Sequence, residues 1–574
     1  MKKRFLSLLL AAMLLLPSTL VLATFAAASE ETWIYVEGDD FRPVYASTQA
    51  LQSQDVSADL AALLRAGWAT RAENINISSL GLPVSQTTFD MYYRAIYENQ
   101  DIAYDVRTAF SYSYSGGTIA LLKPKYLATP RATVQAAIEA TANRMLATIP
   151  AGATELERVL AVNDFLALHV AYNQAVADGG AGTEEVYTAY GALGLGDAVC
   201  QGYSLAALYL FKYLNINALY CSSSSMNHGW NLVQVNGTWY HLDITWNDPL
   251  SQSAAHSGGR DVLGRVRHNN LLRSATGITA TGHSGWDAGL PSATGTTYDS
   301  YFWTSSAYSS ATVNYNGNWL HTYSTNNKQL RAAGIPGAAL STTATLNYSG
   351  GWNAEGGGTW TLAPYIARYG NKLFYNTPTG LRYVALSTMT DNAFYTQSGL
   401  SGVQSVYEMR VEGDYAHIRL ATTPNNDPYQ DIFVPLLEPG AIAVTGLSAP
   451  ITRDLTLAAT ATLQISGVAV TPSNASDTGV QWNSLDTSTV TVDQNGLLTG
   501  VAPGQAYVLA STENGAFAQR FCVTVTAAPI AVESIAVSPG SATVQRGATT
   551  TLTATISPND ADNQNIIWSS SNSA

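Results

Sequence analysis

The turn dipeptide Asn236-Gly237 constrains the fold more than any other feature of this sequence. It lies between two runs in which apolar and polar residues alternate, "NHGWNLVQV" and "TWYHLDIT". Such a dipeptide between alternating runs favours a β-hairpin closed by a two-residue turn. A two-residue turn also fixes the register of the two strands, so that Val235 faces Thr238.

The same register brings three side chains to one face of the hairpin. Side chains alternate between the two faces of a strand, so His228, Trp230 and Asp243 point the same way. Trp230 then lies opposite Asp243, and His228 is the diagonal neighbour of that aspartate, a separation that long side chains can close. The sequence therefore predicts a contact between His228 and Asp243.

The stretch "GDAVCQGYSLAALYLFKYL" places Cys200 at the start of a helix that is apolar on all sides. A helix of this kind is typically buried, and Gly202 near its start would let another chain segment approach closely. The N–H groups and the positive end of the helix dipole favour a thiolate at such a position and can receive an oxyanion. Cys200 is therefore a candidate nucleophile.

Cys200, His228 and Asp243 together suit a thiol triad, in which the histidine is the base and the aspartate holds its tautomer. Each residue also has a simpler interpretation. Cys200 could be a packing residue, His228 a satisfied turn histidine, and Asp243 a cap for the turn before Pro249. The sequence has no C-x-x-C or H-x-x-x-H pair, so we expect neither a metal nor a cofactor.

The length, charge and composition of the chain favour some classes of protein and disfavour others. A chain of 574 residues is too long for one core and predicts several domains. Its net charge is −13 and no basic cluster follows Arg4, which argues against a nucleic-acid partner. The 32 tyrosines and 12 tryptophans, among many turn-forming residues, favour a large content of β-structure.

The N-terminus has the pattern of a secretory signal peptide, predicted to span residues 1–28. Basic residues at positions 2–4 precede an apolar run from Phe5, and three alanines before Ser29 form a cleavage site. The alternative is a membrane anchor, although no later stretch is long and apolar enough to span a bilayer. We therefore expect a secreted, extracellular or cell-surface protein with no membrane span after signal removal. Its three cysteines leave at least one unpaired.

Local signals predict several elements in the first half of the chain. The segment "TTFDMYYRAIYENQ" is expected to be a helix, with Asp90 or a threonine near its start. A hairpin should turn at Gly116-Gly117. Thr154 and Glu157 have the spacing of a capping box at the start of a further helix.

We predict five units after the signal peptide. Residues 29–130 are a mixed α/β segment, 131–295 a catalytic domain, 300–440 a β-rich module, 443–527 a β-sandwich and 531–574 part of a second sandwich. Similar segments in the β-rich module begin 53 residues apart, at 317 and 370, with a candidate third copy from Glu412, and such repeats suggest propeller-like blades. Three copies do not close a propeller, so the prediction is of a β-rich module only. The two sandwiches repeat a Pro and Trp block at an offset of 86 residues, from 472 to 558. The second copy stops before its last part, so we expect an incomplete sequence whose missing part could hold further repeats or a surface anchor.

Three blocks of the sequence carry a resemblance to a known family: "AYGALGLGDAVCQGYSLAALYLFKYLNI", "NHGWNLVQVNGTWYHLDITWNDP" and "RHNNLLRS". In this order they resemble the bacterial transglutaminase-like domain, which has an α+β papain-like thiol fold. The resemblance implies that Cys200 is the nucleophile, His228 the base and Asp243 the third catalytic residue. The family usually has alanine where this chain has Gly229.

Further residues near these blocks have weaker assignments. Tyr190 and Gln201 lie near the nucleophile in sequence and are candidates for the oxyanion site. Asp248 is a candidate for ordering the loop that follows Asp243. His268 and His283 are expected to serve packing or turns rather than the triad.

The C-terminal repeats resemble the group 2 bacterial immunoglobulin-like domain, on the Pro and Trp block and on "VTVDQNGLLTGVAPGQAYVLAST". This resemblance implies extracellular stalks or adhesion modules, with a cell-surface ligand as a candidate partner.

The sequence thus predicts an exported cysteine-dependent enzyme that acts on amide bonds through a thioester. Its substrate would be a protein or peptide, with cell-wall material as one candidate. Hydrolysis (peptidase or amidase) and transglutaminase cross-linking share the acyl-enzyme, and hydrolysis is slightly favoured because water competes outside the cell. The alternative is a non-catalytic surface protein for adhesion or ligand binding.

Overall fold

The computed structural model describes residues 32–38, 54–251, 260–304, 310–322, 328–333, 341–353, 358–360, 362–400, 404–422 and 429–572. The chain is multidomain, with a helical N-terminal region, many β-sheets and a β-sandwich near the C-terminus. The predicted signal peptide, 1–28, lies outside the described residues. In the described part of the chain, no helix is both long and apolar enough to cross a membrane.

The helices lie in the first half of the chain. Those described are α1 (Gln54–Ala69), α2 (Gln86–Glu98), α3 (Gln100–Ala103), α4 (Arg131–Ala147), α5 (Glu155–His169), α6 (Gln174–Ala177), α7 (Cys200–Tyr213), α8 (Ile244–Asn247) and α9 (Ala275–Ala280). The prediction that Asp90 or a threonine lies near the start of α2 is confirmed, because Thr87 and Thr88 are in its first turn. The cap itself is Ser85, whose hydroxyl accepts the N–H of Thr88. The capping box of Thr154 and Glu157 at the start of α5 is confirmed.

Short strands accompany these helices. They are β1 (Ile34–Val36), β2 (Ile75–Asn76), β3 (Val106–Ser115), β4 (Thr118–Tyr126), β5 (Ala171–Tyr172), β6 (Asp197–Ala198), β7 (Ala218–Ser223), β8 (His228–Val235), β9 (Thr238–Leu242), β10 (Leu250–Ser251) and β11 (Arg260–Asp261). Strands β1 to β4 form one sheet in the order β1-β3-β4-β2, and the predicted turn at Gly116-Gly117 joins β3 to β4. Strands β7, β8 and β9 form a second antiparallel sheet.

Helix α7 is the centre of the core, and every residue from Cys200 to Phe211 is buried. Its inner face contacts β8, where the Asn231 side-chain amide donates to the carbonyl of Ser204 at 3.2 Å. The Ser204 hydroxyl lies 2.9 Å from the Cys200 carbonyl and 3.2 Å from that of Gly229. These bonds fix the start of the helix against the strand that begins at His228.

The β-rich module consists of antiparallel meanders. Strands β12 (Val313–Tyr315), β13 (Asn318–His321), β14 (Gln329–Ala333) and β15 (Ser341–Thr345) form one sheet, and β16 (Trp352–Asn353) pairs with β17 (Thr359–Trp360). A second four-stranded sheet contains β18 (Ile366–Tyr369), β19 (Lys372–Thr377), β20 (Gly380–Ala385) and β21 (Thr390–Thr396). A three-stranded sheet follows, with β22 (Ser405–Glu412), β23 (Tyr415–Ala421) and β24 (Gln430–Pro435). The similar segments noted in the sequence contribute strands to these three meanders.

The C-terminal sandwich has two main sheets around its own apolar core. Its strands are β25 (Gly446–Ser448), β26 (Asp454–Ala458), β27 (Thr462–Gln464), β28 (Ala469–Thr471), β29 (Val480–Ser484), β30 (Val490–Val492), β31 (Leu497–Gly500), β32 (Gly504–Thr512) and β33 (Ala518–Thr526). One sheet has the order β26-β33-β32-β29 and the other β27-β31-β30. The hairpin of β34 (Ser534–Ser538) and β35 (Thr553–Ser557) follows.

We predict that Gly202→Ala destabilises the protein, against the helix propensity that favours alanine by about 1 kcal/mol. A Cβ atom at position 202 would lie 2.5 Å from the Val186 carbonyl oxygen and 2.7 Å from the Ala198 Cβ. We expect a loss of about 1–3 kcal/mol in the free energy of unfolding, measured by urea denaturation. Gly540→Ala is the matched control, since no atom lies within 4 Å of its added Cβ. Equal stability of the two variants would contradict the prediction.

Candidate functional site

The hairpin of β8 and β9 has the predicted register. Asn236 and Gly237 occupy the turn with φ values of 51° and 74°, the left-handed region that a two-residue turn of this type requires. Val235 pairs with Thr238, as predicted. The register places His228 at the start of β8 and Asp243 directly after β9.

The predicted contact between His228 and Asp243 is present. Nε2 of His228 lies 2.8 Å from Oδ2 of Asp243, and both side chains are buried. The other carboxylate oxygen, Oδ1, accepts the backbone N–H of Trp246 at 3.1 Å and thereby caps α8. The simpler interpretation of Asp243 as a cap is therefore also correct, because one oxygen caps the turn while the other contacts the histidine.

Cys200 is the first residue of α7 and is 3% exposed. Its thiol interacts with His228 closely enough to help raise the pKa of that histidine. Since Nε2 of His228 is directed at Asp243, Nδ1 is the ring nitrogen that remains for the thiol. The N–H groups of the first turn of α7 have no partner within the helix and face the same end as the thiol.

The environment of His228 favours its protonated form. Burial lowers the pKa of His228, but the charge and hydrogen bond of Asp243, helped by Cys200, raise it to about 10. The indole rings of Trp230 and Trp246 stack on the imidazole, with centroid distances of 5.6 and 5.5 Å. Aromatic faces stabilise a cation that has lost its water.

The opposite charge is held on Asp243. Burial alone would raise the pKa of this carboxyl, but the charge of His228 and hydrogen bonds from two histidines hold it well below its usual range. Those two histidines are His228 and His283.

Trp230 is itself held by a residue that the sequence did not single out. Its indole N–H donates to Nδ1 of His241 at 3.0 Å. His241 can accept this bond because burial, followed by the nearby His283, lowers its pKa to about 3 and keeps it neutral. The alternation of side chains along β9 is the signal that could have identified it, since His241 precedes Asp243 by two residues.

His283, which is expected from the sequence to serve packing or a turn rather than the triad, also contacts Asp243. Nε2 of His283 lies 2.8 Å from Oδ2 of Asp243, the oxygen that also contacts His228. His283 lies 40 residues after Asp243, in the segment that follows α9. The sequence holds no periodicity or motif that connects these two positions.

The remaining candidates lie elsewhere in the core. His268 contacts Asp164 through Nε2 at 2.7 Å and is a packing histidine, as expected. Asp248 ends α8 and accepts the hydroxyl of Tyr203 at 2.5 Å, so it orders the chain after Asp243. Gln201 is the second residue of α7, and both it and Tyr190 are buried. Their part in an oxyanion site stays a prediction.

Position 229 is occupied by glycine for a physical reason. A Cβ atom there would collide with the hydroxyl of Tyr220 on the neighbouring strand. The alanine that the transglutaminase-like family usually carries would therefore require Tyr220 to move.

Among the residues that the structure describes, one group of side chains has the spacing of a metal site. Nitrogens of His228 and His283 and an oxygen of Asp243 all lie within 4.8 Å of one another. Hydrogen bonds of 2.8 Å already account for these three atoms. We therefore describe the group as a hydrogen-bonded cluster.

All three cysteines are free. Burial, with Asp287 and Asp243 nearby, raises the pKa of Cys221 well above its usual range. Burial, followed by Asp454, also raises the pKa of Cys522. The thiols of Cys221 and Cys522 are therefore protonated and unreactive near neutral pH.

Comparison with known proteins identifies the C-terminal part of the chain. The family model of the bacterial Ig-like domain (group 2) matches residues 448–523 and 531–574, which confirms the predicted resemblance. An uncharacterized protein of Clostridium acetobutylicum is 37% identical over 102 residues. That alignment covers 18% of this chain and 10% of the relative, so the chain spans about a tenth of the curated relative's length.

Two solved structures have weaker similarity. The crystal structure of a TGase is 15% identical and covers 26% of this chain and 50% of its own, with a TM-score of 0.18. Domains 1–6 of the surface layer protein SbsC are 13% identical and cover 42% of this chain and 39% of theirs, with a TM-score of 0.13. At such TM-scores neither similarity carries an argument about fold or function.

We predict a pH-dependent contribution of the His228 and Asp243 pair to stability. The folded protein holds the His228 proton up to about pH 10, whereas the unfolded chain loses it near about pH 6.5. The contribution is therefore complete below about pH 6.5 and is lost as the pH rises through about 10. The melting-temperature difference between wild type and Asp243→Asn should be largest near pH 6 and shrink towards pH 10.

Differential scanning calorimetry at pH 6, 8 and 10 measures this difference. Asp178→Asn, which alters an exposed carboxylate, is the control and should leave the melting temperature nearly unchanged throughout. A difference for Asp243→Asn that stays constant from pH 6 to 10 would contradict the prediction.

Proposed function

We propose that this protein is an exported thiol enzyme that acts on amide bonds, with Cys200 as nucleophile, His228 as acid and base, and Asp243 as the residue that orients the histidine. One observation carries the proposal: a buried series of contacts runs from the Cys200 thiol through the His228 ring to Asp243. The three sequence blocks that resemble the transglutaminase-like domain support the same assignment. On this proposal, residues 131–295 are a papain-like catalytic domain.

The geometry supports a two-stage reaction. Sγ of Cys200 attacks the amide carbonyl carbon, the C–N bond breaks, and the amine leaves with the proton that His228 carries on Nδ1. The product of this stage is a thioester. Water then attacks the thioester carbon while His228 takes up a proton, the C–S bond breaks, and a carboxylic acid leaves.

Two features of the site assist charge formation. The negative oxygen of each tetrahedral intermediate forms next to the first turn of α7, where backbone N–H groups and the helix dipole stabilise it. Asp243 stabilises the imidazolium of His228 through a hydrogen bond of 2.8 Å. Both groups are in place before the substrate binds, so little reorganisation accompanies the reaction.

The acyl acceptor decides the class of activity. With water the enzyme is a peptidase or amidase, and with a primary amine it is a transglutaminase. We favour hydrolysis, because water is the abundant acceptor outside the cell. The bacterial Ig-like match supports an extracellular or cell-surface location, in which these domains would hold the enzyme near a protein or peptide substrate.

The first test is the reactivity of Cys200 in the full chain. We expect iodoacetamide at pH 6.5 to alkylate Cys200 faster than Cys522 by at least about tenfold, because the thiol of Cys522 is protonated at this pH. Peptide mass spectrometry measures both sites in one sample. His228→Ala should slow alkylation of Cys200 by about tenfold or more, since it removes the base.

Cys522 serves as the internal comparison, and Cys200→Ala should show no rapid alkylation. A Cys200 thiol that reacts no faster than Cys522, or that reacts equally fast in His228→Ala, would overturn the proposed function. Product analysis with peptide amides, with and without an added primary amine, then separates hydrolysis from transfer.

A further inference from the structure

We infer that His283 is a positioning residue for this site: its Nε2–H holds Oδ2 of Asp243 in the orientation that allows the same oxygen to bind His228. The inference rests on the proposed function, because it assigns His283 a part in the same reaction. It extends that function by a fourth side chain that touches neither substrate nor nucleophile.

The contacts of His283 are specific at both ring nitrogens. Nε2 lies 2.8 Å from Oδ2 of Asp243, and Nδ1 lies 3.3 Å from the hydroxyl of Thr281. That hydroxyl also bonds to the carbonyl of Ile278 at 2.7 Å. His283 is 1% exposed, so both contacts form away from water.

The ring is also confined by its aromatic neighbours. Its centroid lies 4.2 Å from that of Trp246 and 5.0 Å from that of Trp230, the two indoles that stack on His228. A histidine that served packing alone could direct its polar atoms at any nearby acceptor. Here His283 and His228 contact the same carboxylate oxygen, Oδ2 of Asp243, and the same two indole rings.

The consequence for Asp243 is a fixed carboxylate. A carboxylate can accept about four hydrogen bonds and rotates readily when few are formed. Asp243 receives three donors: Trp246 N–H on Oδ1, and His228 and His283 on Oδ2. Loss of the His283 donor leaves Oδ2 free to turn away from His228, and the imidazole then loses its fixed direction towards Cys200.

The charged and titratable groups around this cluster come from several elements. Cys200 lies on α7, and Tyr172 on β5 is close enough to interact with both Cys200 and Asp243. His241 on β9 interacts with His283, and Cys221 on β7 interacts with Asp243 and with Asp287. The experiment is therefore run at one pH, so that the protonation of these neighbours is the same for every variant.

Two substitutions separate the donor from the shape of the side chain. His283→Gln places an amide nitrogen near the position of Nε2 and can still donate to Asp243. His283→Asn has an amide that reaches only the position of Nδ1, so it can keep the contact with Thr281 but not the one with Asp243.

The readout is alkylation of Cys200 in the full chain at pH 6.5 by two reagents, neutral iodoacetamide and anionic iodoacetate. A protonated His228 beside Sγ of Cys200 attracts the anionic reagent, so the ratio of the two rate constants reports how closely His228 is held to Cys200. We expect His283→Asn to slow alkylation by iodoacetamide about tenfold, the effect of losing a hydrogen bond to a charged group, and to lower the ratio. His283→Gln should stay within about twofold of wild type.

His268→Asn is the matched control, because His268 is also buried and also contacts an aspartate, Asp164, at 2.7 Å. It should lower the melting temperature without changing the rate or the ratio. The inference is overturned when Asn and Gln at position 283 behave alike, whether both are normal or both are impaired. Wild type and His228→Ala test the proposed function separately. If Cys200 is not alkylated rapidly in wild type, or reacts equally fast in His228→Ala, both the proposed function and the role of His283 are overturned.

Discussion

The buried carboxylate of Asp243 is the interaction on which the centre of this protein depends. A charge without solvent is costly unless donors surround it, and this one is met by three N–H groups from separate parts of the chain. The hairpin turn brings His228, the first turn of α8 brings the Trp246 amide, and the segment after α9 brings His283. These three segments are therefore held in position by hydrogen bonds to the same side chain, that of Asp243.

The aromatic residues around the carboxylate make this arrangement stronger. Trp230 and Trp246 cover the rings of both histidines, and His241 fixes the Trp230 indole through its N–H. Hydrogen bonds and ion pairs gain strength where water is excluded, but an unpaired group there becomes more costly. The aromatic residues that exclude water thus strengthen the interaction of His228 with Asp243. They also make it costly for any donor to the carboxylate to be misplaced.

The parts of the site that the sequence predicted are those set by local rules. The Asn236-Gly237 turn fixes a register, and that register alone brings His228 to Asp243 across a short hairpin. The start of α7 at Cys200 follows likewise from the apolar pattern of one segment. His283 could not be found in this way, because its approach to Asp243 depends on the path of the chain after β9. The cap of α2 lies outside the segment that the sequence marked as helical: Ser85 precedes that segment, and its hydroxyl accepts the Thr88 N–H.

The feature that the sequence predicts least well is how the domains pack, and helix α5 contacts two of the other domains. Glu157, in the first turn of α5, accepts the indole N–H of Trp319 at 2.8 Å, and this bond connects the helix to the β-rich module. One residue later, Arg158 donates to the carbonyl of Leu485 in the Ig-like domain at 3.2 Å.

The Ig-like domain is fastened to the helical core at a second point, where the Arg520 guanidinium lies 3.8 Å from the ring centroid of Tyr213. A domain that acted only as a flexible stalk would not need a half-buried arginine against Tyr213 and hydrogen bonds from side chains to backbone carbonyls across the boundary. In this chain the domain matched at residues 448–523 is therefore part of the same packed body as α5 and α7. The Arg520 contact is made with Tyr213, the last residue of α7, and Cys200 is the first residue of the same helix.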